Sequence, residues 1–375
     1  MTSCDCDLAV IGAGLAGTAL LATLHQAGWH GSATVLEAGR GPGGRASTRW
    51  RRGCPSWRLD HGAPLLHLPE PSEGQLTALV AALVDRGALK REEREVVLLG
   101  EAGLEGDAPA GDGFGALGTR WRGQPAMEAV AATLLELAGP AVVRRFGVRV
   151  QRLCRVDPGW DLLDQHGERL VRARVLVLSG NLLAHPRSLS LLGVPGLPLR
   201  EAIPQGDDPR LDQALERIAL MRMEPRWNRM LELPRAVDGA EEWPYCFALS
   251  PSASARWQLD RLVLQPQKDG RVGLVAHGLT PQVRVDPELL SPWPSLVQAL
   301  TWARDLGVMR WGAARPLDHP LPAALQWCPA SSLGFCGDWI DGPGFGLAYG
   351  ALRSAVDLAA RLLQTDALGQ AGAGS

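Results

Sequence analysis

Short apolar runs bounded by glycine alternate with amphipathic stretches through the first half of this chain. Residues 7–11 (Asp-Leu-Ala-Val-Ile) read as a buried parallel strand. The apolar stretch that follows, to about Gly28, predicts a helix, and Ala33-Thr34-Val35-Leu36 predicts a second strand ending on Glu37. Leu76, Leu79, Val80 and Leu83 stand at helical spacing within a helix predicted over 75–99, and the Gly-, Ala- and Asp-rich residues 100–118 predict a loop. A helix is expected from Trp121 to Leu137, with Pro125 near its start, followed by strands at 142–150, 160–163 and 175–178. From about 190 to 307 the strand-like runs are 230–233, 246–249, 262–265 and 272–277, with a hairpin turn at Lys268-Asp269-Gly270 and a helix over 292–306. Leu333-Gly334-Phe335 is a last apolar strand, and a helix runs on to Leu363.

The junction of the first strand and helix carries Gly12-Ala13-Gly14-Leu15-Ala16-Gly17. Gly12 permits the tight turn, Gly14 lets a pyrophosphate approach the helix N-terminus, and Gly17 lets the helix pack on the strand. Glu37 then stands where ribose hydroxyls donate hydrogen bonds. This context predicts dinucleotide binding. A second cluster follows at once, Ala38-Gly39-Arg40-Gly41-Pro42-Gly43-Gly44-Arg45. Gly43 and Gly44 offer unobstructed backbone N–H groups, and Arg45 offers a bidentate cation for a diphosphate.

Composition narrows the classes. The 375 residues are 46% hydrophobic with net charge −2, enough for two globular domains and unsuited to nucleic acid or an anionic membrane as main partner. No apolar run spans a membrane, and the N-terminus lacks a basic region before its apolar run. Seven scattered Cys fit reduced thiols in a cytoplasmic enzyme, and Cys4-Asp5-Cys6 has no nearby partner pair for a metal. The thirteen Trp mostly read as packing for the second domain.

The stretch from Glu37 to Thr48 resembles the second glycine motif of the FAD-dependent amine-oxidase superfamily, closest to its renalase-like branch. Gly337-Asp338 and Gly342-Pro343-Gly344-Phe345-Gly346 resemble its last cofactor motif, and looser matches occur at 123–127, 147–150 and 310–316. The resemblance implies non-covalent FAD. It implies roles for Asp338 at the ribityl or pyrophosphate region, for the backbone of Phe345, Gly346 and Leu347 at the flavin pyrimidine edge, and for Val148 and Val150 near adenine. Asp60, His61, Gly62 and Ala63 would form a strand end reaching the cofactor. Where the family usually continues Gln-Tyr, this chain has Pro64-Leu65.

The expected architecture is α/β, α+β overall. A Rossmann-type FAD-binding domain (1–66, 145–190 and 308–366) is interrupted by a substrate domain with a mostly antiparallel sheet (67–144 and 191–307), and a disordered tail follows at 367–375. The only lysines, Lys90 and Lys268, lie in a charged run and a hairpin turn, so neither is expected beside a flavin. Hydride transfer from a dihydronicotinamide needs no such lysine, and the renalase-like resemblance implies oxidation of isomeric dihydro-NAD(P) or a similar small donor with oxygen as acceptor. An amine oxidase or desaturase of a hydrophobic substrate and a non-catalytic flavin-binding protein remain open alternatives. No nucleophile or acid–base pair is evident. His61, Trp227, His277 and Tyr349 are the substrate-pocket candidates.

Overall fold

The computed structural model describes residues 4–51, 53–68, 74–107, 118–235 and 239–369. β1 (Cys6–Ile11), α1 (Leu15–Gln26) and β2 (Ala33–Glu37) form the opening βαβ unit. β1 is central in a parallel arrangement: β2 lies on one side and strand Arg169–Leu178 on the other. Strand Val142–Phe146 extends the sheet beyond β2, and Leu333–Phe335 extends it beyond Leu178. Side-chain alternation gives the sheet two buried faces. Leu8, Val10, Val35 and Val177 pack with α1 and the helices Gln75–Asp85, Glu128–Leu137 and Ala348–Gln364. Ala9, Leu36, Leu176 and Leu178 pack with helix Pro209–Leu220 on the other face.

A second, seven-stranded sheet runs in the order Arg304–Pro316, Met223–Leu233, Val272–Gly278, Leu259–Pro266, Cys246–Leu249, Val96–Gly100, Gly103–Asp107. Its pairings are antiparallel except for Cys246–Leu249 with Val96–Gly100. One face, with Leu233, Phe247, Leu262, Leu274 and Ala276, packs on helix Pro294–Thr301. The other meets strand Cys54–Asp60, where Met230 and Val275 bury Trp57 and Leu59. Among the described residues, no helix is long and apolar enough to cross a membrane.

Several expectations shift. The helix over 75–99 stops at Asp85, because Gly87 takes a positive φ of 69°, and strands Leu89–Arg91 and Val96–Gly100 follow. The helix expected from Trp121 begins at Glu128, after strand Thr119–Gly123. The strand over 142–150 ends at Phe146, and Gly103–Asp107 is a strand within the expected loop. Residues 108–117 and 370–375, parts of the expected loop and tail, lie outside the described residues. Leu368, expected in the tail, is buried against the main core.

Packing also draws the domain boundary differently from the expected segments. Helices Gln75–Asp85 and Glu128–Leu137 pack on the parallel sheet, so parts of 67–144 belong with the cofactor half. Strand Arg304–Pro316 pairs with Met223–Leu233, which puts 308–316 in the second sheet.

Candidate functional site

The glycine motif folds as its spacing dictates. Gly12 has a φ of 104°. A Cβ on Gly17 would lie 2.1 Å from the Gly12 carbonyl oxygen, so only glycine brings the helix this close to the turn. The Ser179 hydroxyl clamps the turn from the next strand, reaching the Ile11 and Gly12 carbonyls at 3.0 Å each. Gly14 caps α1 with extended backbone and no side-chain cap, leaving its first N–H groups open to a ligand. Leu15 and Ala16 are buried in the first turn.

The second glycine cluster docks on the first. Gly43 donates its N–H to Ala13 at 2.9 Å, and a Cβ on Gly44 would sit 3.1 Å from the Gly14 Cα. Glu37 accepts from the N–H groups of Ala13 (2.9 Å) and Gly39 (2.6 Å), so its half-exposed carboxylate rims this cradle. Ala38 is exposed beside it. Gly147 and Val148 donate to the carbonyls of Gly39 and Glu37, which puts Val148 beside Glu37, while Val150 turns into the core.

Arg45 has a protein partner that the sequence did not predict. Its guanidinium grips Asp338 with two bonds of 2.6 and 2.5 Å and donates to Ala314. The two glycine-rich ends of the chain therefore meet through an ion pair, and that fork is taken. A second cation stands close by. Arg187 donates to Asn181 but has Nε and Nη1 buried without partners. Burial, followed by repulsion from Arg45, pulls its pKa down to about 10, against the pull of Asp338. Nothing in the local sequence marks Arg187. An anionic group reaching the Arg45–Asp338 pair would offer both orphaned donors an acceptor.

Gly337 has φ 143°, and Ser354 holds both its N–H and its carbonyl at 2.9 Å. Gly346 donates to Asp338, Phe345 to Gly342 and Leu347 to Gly344, so this loop is braced by its own turns ahead of the uncapped N-terminus of helix Ala348–Gln364. A Cβ on Gly62 would lie 1.9 Å from the Arg45 carbonyl oxygen, and Ala63 donates to that same oxygen at 2.7 Å. Asp60 turns elsewhere: its carboxylate accepts from Thr48 and the Met127 N–H, and burial raises its pKa to about 6.

His61 stacks on Trp311 with ring centroids 5.3 Å apart. Its carbonyl accepts from Asn228 (2.6 Å) and Trp311 (3.1 Å). Asn228 and His277 are register partners on the sheet face toward the cofactor half. Among the described residues, three buried polar atoms there lack partners: His61 Nδ1, Asn228 Oδ1 and His277 Nε2. Burial holds the His61 pKa down to about 4, helped by Arg49. Burial and then Arg261 hold His277 down to about 3, although Asp260 opposes them. Both imidazoles are neutral near pH 7. Two expected pocket residues lie apart. Trp227 packs into the opposite face of the sheet. Tyr349 packs against the core of the parallel sheet, and its hydroxyl meets Arg353. Asn228, which a polar residue inside a strand-like run could have flagged, takes their place.

Residues 10–83 match the family model of an NAD(P)-binding Rossmann-like domain. The whole chain is similar in fold to solved oxidases. Putrescine oxidase bound to putrescine is 16% identical, with 96% of this chain and 99% of that chain covered and a TM-score of 0.61. Cyclohexylamine oxidase from Brevibacterium oxydans is 14% identical, with coverage of 96% and 99% and a TM-score of 0.63. A putative protoporphyrinogen oxidase from Exiguobacterium is 12% identical, with coverage of 97% and 100% and a TM-score of 0.62. In sequence, the tRNA 5-methylaminomethyl-2-thiouridine biosynthesis bifunctional protein MnmC of Cupriavidus necator is 29% identical over 198 residues, 45% of this chain. The match spans 30% of that relative's length. The fold and the cradle thus define a mixed α/β protein with a Rossmann-like dinucleotide-binding domain, shared in architecture with these oxidases.

Proposed function

We propose that this chain is an FAD-dependent oxidoreductase, renalase-like in its choice of donor: a reduced nicotinamide nucleotide or similar small hydride donor, with oxygen as acceptor. The Gly14–Gly44 cradle, the Glu37 carboxylate and the two unbonded nitrogens of Arg187 suit the anionic dinucleotide. Bound there, FAD supplies the redox chemistry: the donor yields a hydride and leaves as its oxidised form, and oxygen with a proton becomes hydrogen peroxide.

The observation that carries the donor choice is the charge of the facing sheet. Arg49 and Arg261 lie close enough to lower the pKa of His61 and His277, and Arg226 adds to the effect at His277. The carboxylates nearby are committed: Asp260 to Arg261, and Glu224 to Arg226 at 2.6 Å. Those pairs offset Arg261 and Arg226 as well, so the excess positive charge near this face is that of Arg49, and with both imidazoles neutral it suits a phosphorylated donor better than an ammonium. Lys90 and Lys268 are both exposed, and neither touches this face. The Asn228 and Trp311 bonds to the His61 carbonyl hold the strand end against which a donor would be oriented.

Purified protein should carry flavin that heat or acid releases as free FAD. Anaerobic stopped-flow mixing with isomeric dihydro-NAD(P), NADH, NADPH and common amines then reads the donor. Rapid bleaching by an amine alone would replace this reading with an amine oxidase. Bleaching by no donor would leave a binding protein.

A further inference from the structure

A separate cavity of about 260 Å³ opens on the far side of strand Cys54–Asp60, between the Gly123–Ala126 segment and the Lys268 hairpin. Arg58, Arg94, Arg122 and Lys268 line it. Three carboxylates stand near these four cations, and one of them, Glu128, lies close enough to Arg58 for that charge to oppose the upward pull of burial on its pKa. Glu92 pairs with Arg94 at 2.9 Å and with Arg122 at 3.4 Å. Asp60 is tied to Thr48 and the Met127 N–H. Arg58 and Lys268 have no ion pair among the described residues. The Arg58 guanidinium lies 4.2 Å over the Trp50 ring, with Nε buried and unbonded. Much of the neutral wall is already committed: Gln267 brackets the Arg58 backbone, Gln265 brackets that of Asp60, and the Tyr245 hydroxyl donates to Pro64, which leaves Ser56 and Gln124.

Such a wall offers a ligand one cation free of any ion pair among the described residues, Lys268, and beside it the Arg58 fork, only partly offset by Glu128 and with Nε unbonded, a planar group suited to oxyanions. The volume lies below the usual range for drug-sized ligands, roughly 300–1,000 Å³. We infer that this cavity is a binding site for a small phosphate-type oxyanion, separate from the dinucleotide cradle. The site touches the same strand end as His61, through Asp60. The inference does not rest on the identity of the hydride donor.

The test titrates FAD-saturated full-length protein with sodium phosphate at constant ionic strength maintained by sodium chloride, following the thermal midpoint. FAD occupies the cradle, so a response reports another site. A saturable rise with phosphate is expected, and the Arg58→Gln/Lys268→Met double variant should weaken its midpoint at least tenfold. Lys268→Met alone keeps the inference testable if the double variant fails to fold. It should weaken binding roughly three- to tenfold, whereas Lys90→Met should not. A rise matched by chloride, a midpoint unchanged in the Lys268 variants, or tighter binding of malonate than of phosphate would each overturn the assignment.

Discussion

The cofactor half and the second sheet meet along the strand that ends at His61, but each holds its side of the contact by different means. In the cofactor half the surface is backbone. Gly12, Gly17, Gly62 and Gly337 stand where a Cβ would strike a neighbour between 1.9 and 2.4 Å away, and at Gly17 and Gly62 that neighbour is backbone. In the second sheet the surface is side chain. Asn228, Gln265 and Gln267 reach across to the backbone of His61, Asp60 and Arg58. A backbone surface cannot be changed without changing the fold. A side-chain surface can change its charge and hydrogen bonding while the sheet stays intact. On the proposed function, cofactor binding is therefore the rigid property of this architecture, and donor selection the adjustable one.

The sharpest way to break that contrast lies inside the glycine motif itself. Gly17→Val drives carbon into the Gly12 carbonyl, so urea unfolding should show a loss of about 3 kcal/mol or more, or no soluble protein. Gly14→Val should behave otherwise. Its backbone is extended, and a Cβ there meets nothing closer than 3.8 Å. The variant should fold with near-parental stability and emerge without flavin. Equal unfolding behaviour in the two variants would remove the distinction between a packing glycine and a ligand glycine.

A smaller effect is expected from the charged groups around the cradle. Glu37→Ala, Asp338→Ala and Arg187→Gln should each weaken FAD by roughly ten- to hundredfold, corresponding to about 1.5–3 kcal/mol for a hydrogen bond to a charged group. Asp338→Ala also frees the Arg45 fork, so its loss should be partly recovered in the Asp338→Ala/Arg45→Gln pair. FAD titration by fluorescence reads all four, and parental affinity in Arg187→Gln would remove it from the site.

On the second sheet, Asn228→Leu removes one of two donors to the His61 carbonyl. The reductive half-reaction should slow about tenfold while FAD affinity stays within twofold, a net cost near 1.4 kcal/mol. A large loss of FAD in this variant would show that the sheet also builds the cofactor site.

The last effect is a matter of pH and is absent at neutrality. His61 and His277 have folded pKa values lowered to about 4 and about 3. On acidification the unfolded chain takes up their protons first, near pH 6.5, so the stability they support is complete above that pH and is lost as pH falls toward 4 and 3. Asp60, raised to about 6, acts in the opposite sense: its contribution is complete below its ordinary value and is lost as pH rises through 6. His277→Gln should therefore flatten the acid side of the stability profile by about one proton between pH 6.5 and 3. An unchanged slope would show that His277 is not buried and neutral in the folded protein.

The amino-acid sequence by itself determined β1, α1 and β2, the cradle glycines, and the strand and helix of the C-terminal motif. Each depends on periodicity and backbone freedom within a few neighbouring residues. It also revealed the antiparallel hairpin around Lys268-Asp269-Gly270, because turn chemistry is local too. Tertiary structure alone decided which side chains face the site. Arg45 and Asp338 are 293 residues apart, and only folding made them ion-pair partners. Trp227 and Asn228 are neighbours in sequence but lie on opposite faces of one strand. The partner strands set which face meets the cofactor half, and that choice put Asn228 and His277 at the site and Trp227 in the core. Arg187 carries no local signal at all, since an unpaired guanidinium is defined by what surrounds it in space.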